Sequence, residues 1–463
     1  MARLSAALAT SAAFAVYASI SYAVLQRVNS AVAQPYMDEI FHIPQAQHYC
    51  RGEFGVWDPK LTTPPGLYLV SIVPLYLLGA LGFADIATHC TTEYLRTTNW
   101  ALGLLLFWTT YSLVRRQAPN SPAAATAVAA TALSLFPVTF FLHHMYYTDT
   151  GSLLFVLLAY SLSLGQRHWL AGLSGFASLW FRQTNVVWVA FIGFSAALRE
   201  IHRRTGIAGG NESLADSAFR LCKWVLHAGG DVLPVALLLT PYLLVAALFA
   251  VFLYVNQGIV LGDKSHHEAG LHIPQLFYFA SYTVGISAPA ILLTASPLKF
   301  ARLLIQRPSR LAFGLLLCIA MGIGVKKCTV EHPFLLSDNR HYPFYLWKNL
   351  FRRHWLARYA ATPLYLYAFW AIRRCLSQRT PALWRLALCV CTAAVLVPSP
   401  LLEFRYFTMP YIFVRLNARS LPTRVVAAEM AWFAVINAAT IWVFLNKPFT
   451  WDSEPGQLQR FMW

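Results

Sequence analysis

The chain has 463 residues, 57% of them hydrophobic and only 12% charged, with a mean hydropathy of +0.50, whereas a soluble domain carries roughly 25% charged residues. That balance excludes a water-soluble globular enzyme, and the apolar stretches of about 20 residues that recur along the sequence match the length of a bilayer-crossing helix. The formal charge of +17, from 36 Lys and Arg against 19 Asp and Glu, does not indicate nucleic acid, because the basic residues are scattered between apolar runs rather than massed on one face.

The first apolar run, Ser5 to Leu25, is preceded only by Arg3 and has no small-residue cleavage pattern, so it reads as a retained first helix. A polar loop, 26–64, follows. The next apolar run, Pro65 to Phe83, would invert every later loop if it crossed fully, and would move Arg115-Arg116 to the far side. It therefore reads as a re-entrant or interfacial segment, its Pro64-Pro65-Gly66 entry favouring a break in the backbone. Further crossings fall near 95–114, 121–142, 150–165, 168–181, 185–199, 230–254, 275–294, 311–325, 356–372, 382–398 and 424–445.

Basic clusters belong on the cytoplasmic side. Arg115-Arg116, Arg199 with Arg203-Arg204, the run Lys299 to Arg310 and Arg373-Arg374 fix the threading. The expectation is one all-α integral membrane domain over 1–463 with about twelve crossings and both ends cytosolic. Lys326-Lys327, Arg352-Arg353 and Arg358 are exceptions that land on the luminal side. No internal repeat is visible. The eight cysteines lie far apart without CxxC or metal-ligand spacing, so neither a disulfide scaffold nor a zinc site is expected. The sequon Asn211-Glu212-Ser213 lies in the linker 199–229, on the cytosolic side, where it would stay unmodified.

In this threading the loops 26–64, 143–150, 255–274, 326–355 and 399–423, with the turn Phe181-Arg182-Gln183-Thr184-Asn185, face the lumen. They hold Asp38, Glu39, Asp149, Asp263, Glu268, Asp338 and Glu403, a large share of only 19 acidic residues, so the chemistry is expected there. The strongest constellation is Met37-Asp38-Glu39-Ile40-Phe41-His42-Ile43-Pro44-Gln45, ahead of Trp57-Asp58-Pro59 and Thr62-Thr63-Pro64-Pro65-Gly66. Pro44 suits the first turn of a short helix, which would leave both carboxylates in the loop before it. The plainer alternative for the pair is helix capping in a solvated loop.

With Tyr146-Tyr147-Thr148-Asp149, Phe181 to Asn185, Gly262-Asp263-Lys264, Asp338-Asn339-Arg340-His341-Tyr342 and Leu402-Glu403-Phe404-Arg405-Tyr406-Phe407, these strings resemble the dolichyl-phosphate-glucose-dependent alpha-1,2-glucosyltransferase family, in order from Asp38 to Gln459-Arg460-Phe461-Met462-Trp463. The resemblance implies a multispanning GT-C fold of the endoplasmic-reticulum membrane with a luminal active site. The implied donor is dolichyl phosphate glucose, with the sugar beta-linked. The implied acceptor is the diglucosylated high-mannose oligosaccharide on dolichyl pyrophosphate, which receives its terminal glucose with inversion.

The residues make chemical sense of such a transfer. Inversion needs one base on the face opposite the leaving group; Asp38 is the candidate, with Glu39 as a neighbour that orients it or binds acceptor hydroxyls, and Asp149 and Asp263 are rivals. The lipid phosphate leaves as a stable anion, so cations rather than an acid are needed. Arg182, Arg340 and Lys264 are the candidates, with His341 and His266 behind them. Gln183 and Asn185 add groups of the kind that bind sugar, and Asp149, Asp263, Asp338, Glu403 and Arg405 are candidate acceptor or supporting residues. For Arg340 the alternative is pairing with Asp338, two residues away; His143-His144 and His266-His267-His272 read as structural. The aromatic residues are mostly an interfacial belt, although Tyr36 or Trp57 could stack on sugar. No DxD or HExxH pattern appears, so no metal or other cofactor is expected. A secondary transporter or lipid-linked-sugar flippase is the competing class, but it would place ionisable groups inside broken helices in repeated halves rather than in loops. A nonenzymatic membrane partner is a third.

Overall fold

The computed structural model describes residues 2–83, 85–205, 213–227, 229–264 and 269–463; Asn211 and Glu212 of the sequon, and His266, His267 and Glu268, lie outside them. The chain is overwhelmingly helical. Among the described residues five helices are long and apolar enough to cross a membrane: Ala7–Ala31, Gly229–Asn256, Ala288–Ile305, Pro308–Cys328 and Thr423–Asn446. Shorter apolar helices are Gly66–Ala80, Ala123–Ser134, Thr148–Leu164 and Ala382–Leu396. Leu233, Leu237, Leu244, Leu248, Val251 and Val255 are all exposed along Val232–Asn256. Apolar side chains at three- and four-residue spacing on the outside suit a helix whose solvent is lipid.

Prolines set many of the breaks, because each removes a backbone donor. The expected crossing 121–142 is two helices, Ala123–Ser134 and Pro137–Leu142, and 275–294 is Pro274–Ile286 followed by Ala288–Thr294, which with Pro297–Ile305 makes up the span Ala288–Ile305. The run after Pro64-Pro65 forms a continuous helix, Gly66–Ala80, with Pro74 inside it. Fifteen residues span about 22 Å, short of the roughly 30 Å of a hydrocarbon core. The helix of the acidic motif starts earlier than Pro44 implied: it runs Glu39–Cys50 with Pro44 in its interior. The chain reverses at Met37, φ 55°, and the Glu39 carboxylate accepts the Tyr36 amide at 3.1 Å, closing the first turn. The all-α expectation also missed a small ribbon in which Phe449–Trp451 pairs antiparallel with Glu454–Gln459.

The chain packs as two compact units, Met1–Ile201 with Asp231–Glu268, and His202–Gly230 with Ala269–Trp463. In the first, Thr92–Gln117 packs against Ala2–Ala31, Ala123–Ser134 and Thr148–Leu164; the last of these lies on His168–Leu179, which lies on Val232–Asn256. Buried polar side chains pin these helices. Asn99 donates to the carbonyls of Leu142 and Met145 at 3.0 and 2.6 Å, and His144, 1% exposed, lies 3.0 Å from the Ser21 hydroxyl. In the second unit Thr362–Leu376 packs on Pro274–Ile286 and Pro308–Cys328. There, Arg415 donates to both Glu429 oxygens at 2.6–2.9 Å, joining Thr408–Asn417 to Thr423–Asn446.

One expectation about the cysteines is overturned. Cys50 and Cys90, 40 residues apart in sequence, form a disulfide that joins the end of Glu39–Cys50 to the residue before the Thr91 cap of Thr92–Gln117. Their separation in sequence is closed by the reversal of the chain through Gly66–Ala80, which brings their Cα atoms to 6.4 Å. Six cysteines remain as thiols. Alkylation of the denatured, unreduced protein should therefore add six maleimides, rising to eight after reduction; eight without reductant would contradict the bond.

Candidate active site

Glu39 and Arg96 form a fully buried charged pair. Both are 0% exposed. Arg96 Nε and Nη2 donate to the two Glu39 oxygens at 2.9 and 2.6 Å, and the amides of Tyr36 and Tyr146 add bonds of 3.1 and 2.7 Å. Arg96 also reaches the carbonyls of Val32 at 2.6 Å and Gln34 at 3.2 Å. A carboxylate so deeply held is a structural node.

Asp38, the residue before it, is half-buried and sits at the entry of Glu39–Cys50, yet its side chain makes no capping bond to the helix amides. Its own amide donates to the Tyr147 hydroxyl at 3.1 Å. One turn on, His42 lies 2.6 Å from the Tyr68 hydroxyl, with its ring 6.4 Å from that of Tyr147. Tyr147 precedes Thr148–Leu164, and Asp149 in the first turn of that helix receives Arg182 Nη2 on both oxygens at 3.0 Å. The pair is accessible, with side chains 22% and 14% exposed. One guanidinium nitrogen serves both bonds, out of five N–H donors on the fork.

The segment between Trp57 and Gly66 is where the distant motifs meet. Gln45 accepts the Asp58 amide at 2.9 Å and donates to the Val56 carbonyl at 2.7 Å, tying the segment to the acidic helix. Gln183 donates to the Thr62 carbonyl at 2.7 Å, and the Gly66 amide reaches the Trp180 carbonyl at 2.8 Å. A Cβ on Gly66 would stand 2.5 Å from that carbonyl oxygen, so only glycine permits the approach. On the other side, the Asp263 and Leu261 amides donate to Pro59 and Thr62 carbonyls at 2.7 and 3.2 Å. Gly262, φ +64°, is required there both for its dihedral and because a Cβ would lie 2.2 Å from the Pro59 carbonyl.

Several residues expected to touch substrate are engaged within the fold. Asn185, 2% exposed, donates to the Ser152 hydroxyl and the Ser178 carbonyl, both at 2.8 Å. Gln183 is 6% exposed. The Lys264 amine, though exposed, lies 2.5 Å from the Asn256 carbonyl at the end of Val232–Asn256, the place a helix dipole favours a cation. Tyr36 is buried, and the Trp57 indole donates to the Leu61 carbonyl at 3.3 Å.

In the second unit, Arg340 is held by Asp338 through bonds of 2.9 and 2.8 Å, the alternative foreseen for it, and also by Gln459 at 3.0 Å. Burial opposes ionisation of Asp338, but the Arg340 hydrogen bonds and the neighbouring His341 outweigh it and hold the carboxyl below its usual range. His341 Nδ1 is 2.9 Å from the Trp463 carbonyl, and Trp451 donates to Asn339 at 2.8 Å. The Asp338–Tyr342 motif thus clasps the C-terminal segment. Glu403 and Arg405 pair with each other. Among the described residues no group of three or more His, Cys, Asp or Glu is arranged to hold a metal ion.

Sequence reasoning missed Arg96 and Tyr68, and gave no role to His42 and Tyr147 although both stand inside motifs it singled out. Arg96 did carry a signal, an arginine near the start of an expected crossing, where a charge needs a partner; the others are aromatic or imidazole groups hidden among many of their kind.

Residues 32–416 match the DIE2/ALG10 family. The chain is 38% identical to a Rattus norvegicus protein named Dol-P-Glc:Glc(2)Man(9)GlcNAc(2)-PP-Dol alpha-1,2-glucosyltransferase, over 98% of each chain. Proteins of the same name from Homo sapiens and Arabidopsis thaliana are 37% identical over 98% of each chain, and 33% identical over 94% of this chain and 96% of theirs. No solved structure matches the chain.

Removing one partner of the buried pair strands the other charge, so Arg96→Met or Glu39→Gln should cost about 3–5 kcal/mol. The drop should appear as a lower melting temperature in detergent, with Asp38→Asn unchanged. A Glu39→Gln protein as stable as wild type but inactive would make Glu39 a chemical participant.

Proposed function

Since the chain belongs to the DIE2/ALG10 family, we propose that it moves glucose from dolichyl phosphate glucose to the diglucosylated high-mannose oligosaccharide on dolichyl pyrophosphate, forming the terminal alpha-1,2 linkage. The observation that carries this reading is likeness along 98% of the chain to relatives named for that reaction. It favours a transferase over a transporter. The fold is a GT-C arrangement of about twelve crossings in the endoplasmic-reticulum membrane, with the Asp38 loop in the lumen. The Cys50–Cys90 disulfide supports that side, because such bonds persist in oxidising compartments.

In the transfer, Asp38 removes the proton from the acceptor hydroxyl as its oxygen bonds to the anomeric carbon. The carbon–oxygen bond to phosphate breaks on the opposite face, inverting the centre and releasing dolichyl phosphate. No acid is required for so stable a leaving group. Arg182 binds the donor phosphate and meets its developing charge, while Asp149 fixes the guanidinium in place. Gln183 and Asn185 act by holding the turn that carries Arg182, and Glu39 acts by holding Asp38. Asp263 and Lys264 shape the edge of the Pro59–Thr62 segment, the former available to acceptor hydroxyls. Asp338, Arg340 and His341, like Glu403 and Arg405, stiffen loops that support substrate binding.

With purified protein, synthetic donor and synthetic acceptor, single-turnover transfer by Asp38→Asn should fall by roughly 100- to 10,000-fold, the range general-base catalysis supplies, with donor affinity little changed. Arg182→Ala should weaken both donor binding and turnover, since the phosphate is held before the transition state. Near-normal rates for Asp38→Asn alongside inactive Asp149→Asn or Asp263→Asn would move the base. Transfer should also survive EDTA; loss of activity restored by magnesium or manganese would replace the account built on Arg182.

A further inference from the structure

The segment 326–358 carries seven cations, Lys326, Lys327, Arg340, Lys348, Arg352, Arg353 and Arg358, against two carboxylates, Glu331 and Asp338. The threading places it on the luminal side, where an excess of basic residues runs against the usual bias. Part of the charge is balanced internally: Asp338 takes Arg340, and Glu331 pairs with Arg358 and lies 3.9 Å from Arg352. Seven against two still leaves a strong positive excess in the segment.

Lys348 and Arg352 border a cavity of about 200 Å³ whose other walls are Leu335, Leu336, Phe344 and Trp347. Both belong to a π-helical turn, Trp347–Phe351, and its C-cap, a distortion that occurs frequently at functional sites. Trp347 is 1% exposed, yet its indole N–H has no hydrogen-bond partner, an uncommon state for a buried donor. Lys348 folds over the Phe344 ring at 5.6 Å. Nearby in sequence, Phe334, Leu350 and Trp355 are 53%, 48% and 73% exposed, as suits contact with lipid.

We infer that this cavity binds the phosphate end of a prenyl-linked substrate, with Lys348 and Arg352 donating to phosphate oxygens and the apolar walls taking the first isoprene carbons. The volume is several times the roughly 30 Å³ share of one water, room for a phosphate with a few carbons. The inference rests on the glucosyl-transfer reading, which brings two such groups, the donor's monophosphate and the acceptor's pyrophosphate.

The test is photolabelling of the full chain in detergent with a diazirine-bearing farnesyl phosphate. Label should map to peptides spanning 335–352 and be competed by farnesyl phosphate but not by farnesol. The double variant Lys348→Ala/Arg352→Ala should weaken competition by farnesyl phosphate roughly ten- to a hundredfold, the worth of charged hydrogen bonds. Lys348→Arg/Arg352→Lys should restore it, and both cations are exposed, so folding is spared. In transfer assays, a raised KM for the acceptor alone assigns the acceptor's pyrophosphate to the cavity and leaves the donor phosphate with Arg182, whereas a raised KM for the donor alone takes the donor phosphate away from Arg182 and gives it to the cavity. Labelling elsewhere, equal competition by farnesol, or unchanged labelling with both KM values unmoved would overturn the site. Labelling at 335–352 by a wild-type protein that makes no product would overturn the transferase reading and leave the site standing.

Discussion

The buried pair of Glu39 and Arg96 is the constraint from which the geometry around Asp38 follows. Taking two charges out of water costs several kcal/mol per ion, and the attraction between them offsets that only when the remaining polar atoms are also satisfied. Here they are: Glu39 gathers Arg96, the Tyr36 amide and the Tyr146 amide, while Arg96 also reaches the carbonyls of Val32 and Gln34. One interaction thereby joins the end of the first helix, the start of Glu39–Cys50, the helix Thr92–Gln117 and the turn that leads to Asp149. Asp38 is the adjacent residue and inherits its position from that node.

Two neighbouring carboxylates thus divide their work. Glu39 faces inward and holds; Asp38 sits half-buried at a helix entry without capping it. The same economy recurs at Arg182, whose turn is pinned by Gln183 and Asn185 while Asp149 sets the fork. The Trp57–Gly66 segment supplies backbone carbonyls to which both the Arg182 turn and the Gly262-Asp263 turn bind. Side chains placed on helix ends and braced by buried hydrogen bonds hold their geometry better than side chains on free loops.

Much of this was legible in the sequence because lipid imposes a strong filter: the apolar runs are helical, although among the described residues five helices are long and apolar enough to cross a membrane, and the motifs around Asp38, Asp149, Arg182 and Asp263 come together within one unit. What was not legible depends on pairing across the fold. Arg96 lies 57 residues from Glu39, and Cys50 lies 40 from Cys90; no local pattern announces either partner. Pro44 misled because proline at a first turn is the commoner case, whereas here it is tolerated inside the helix. Gln183 and Asn185 looked like sugar ligands since an amide's chemistry is the same whether it faces a sugar or a neighbouring carbonyl, and only burial separates the two.

The central claim is that the Asp38 carboxylate itself accepts the proton. Its most direct measurement is chemical rescue: Asp38→Ala assayed for glucosyl transfer with increasing formate. The account predicts that formate restores transfer in Asp38→Ala, with the same inverted product, and does not restore it in Asp149→Ala or Asp263→Ala. Rescue of either of those instead, with Asp38→Ala unresponsive, would contradict it.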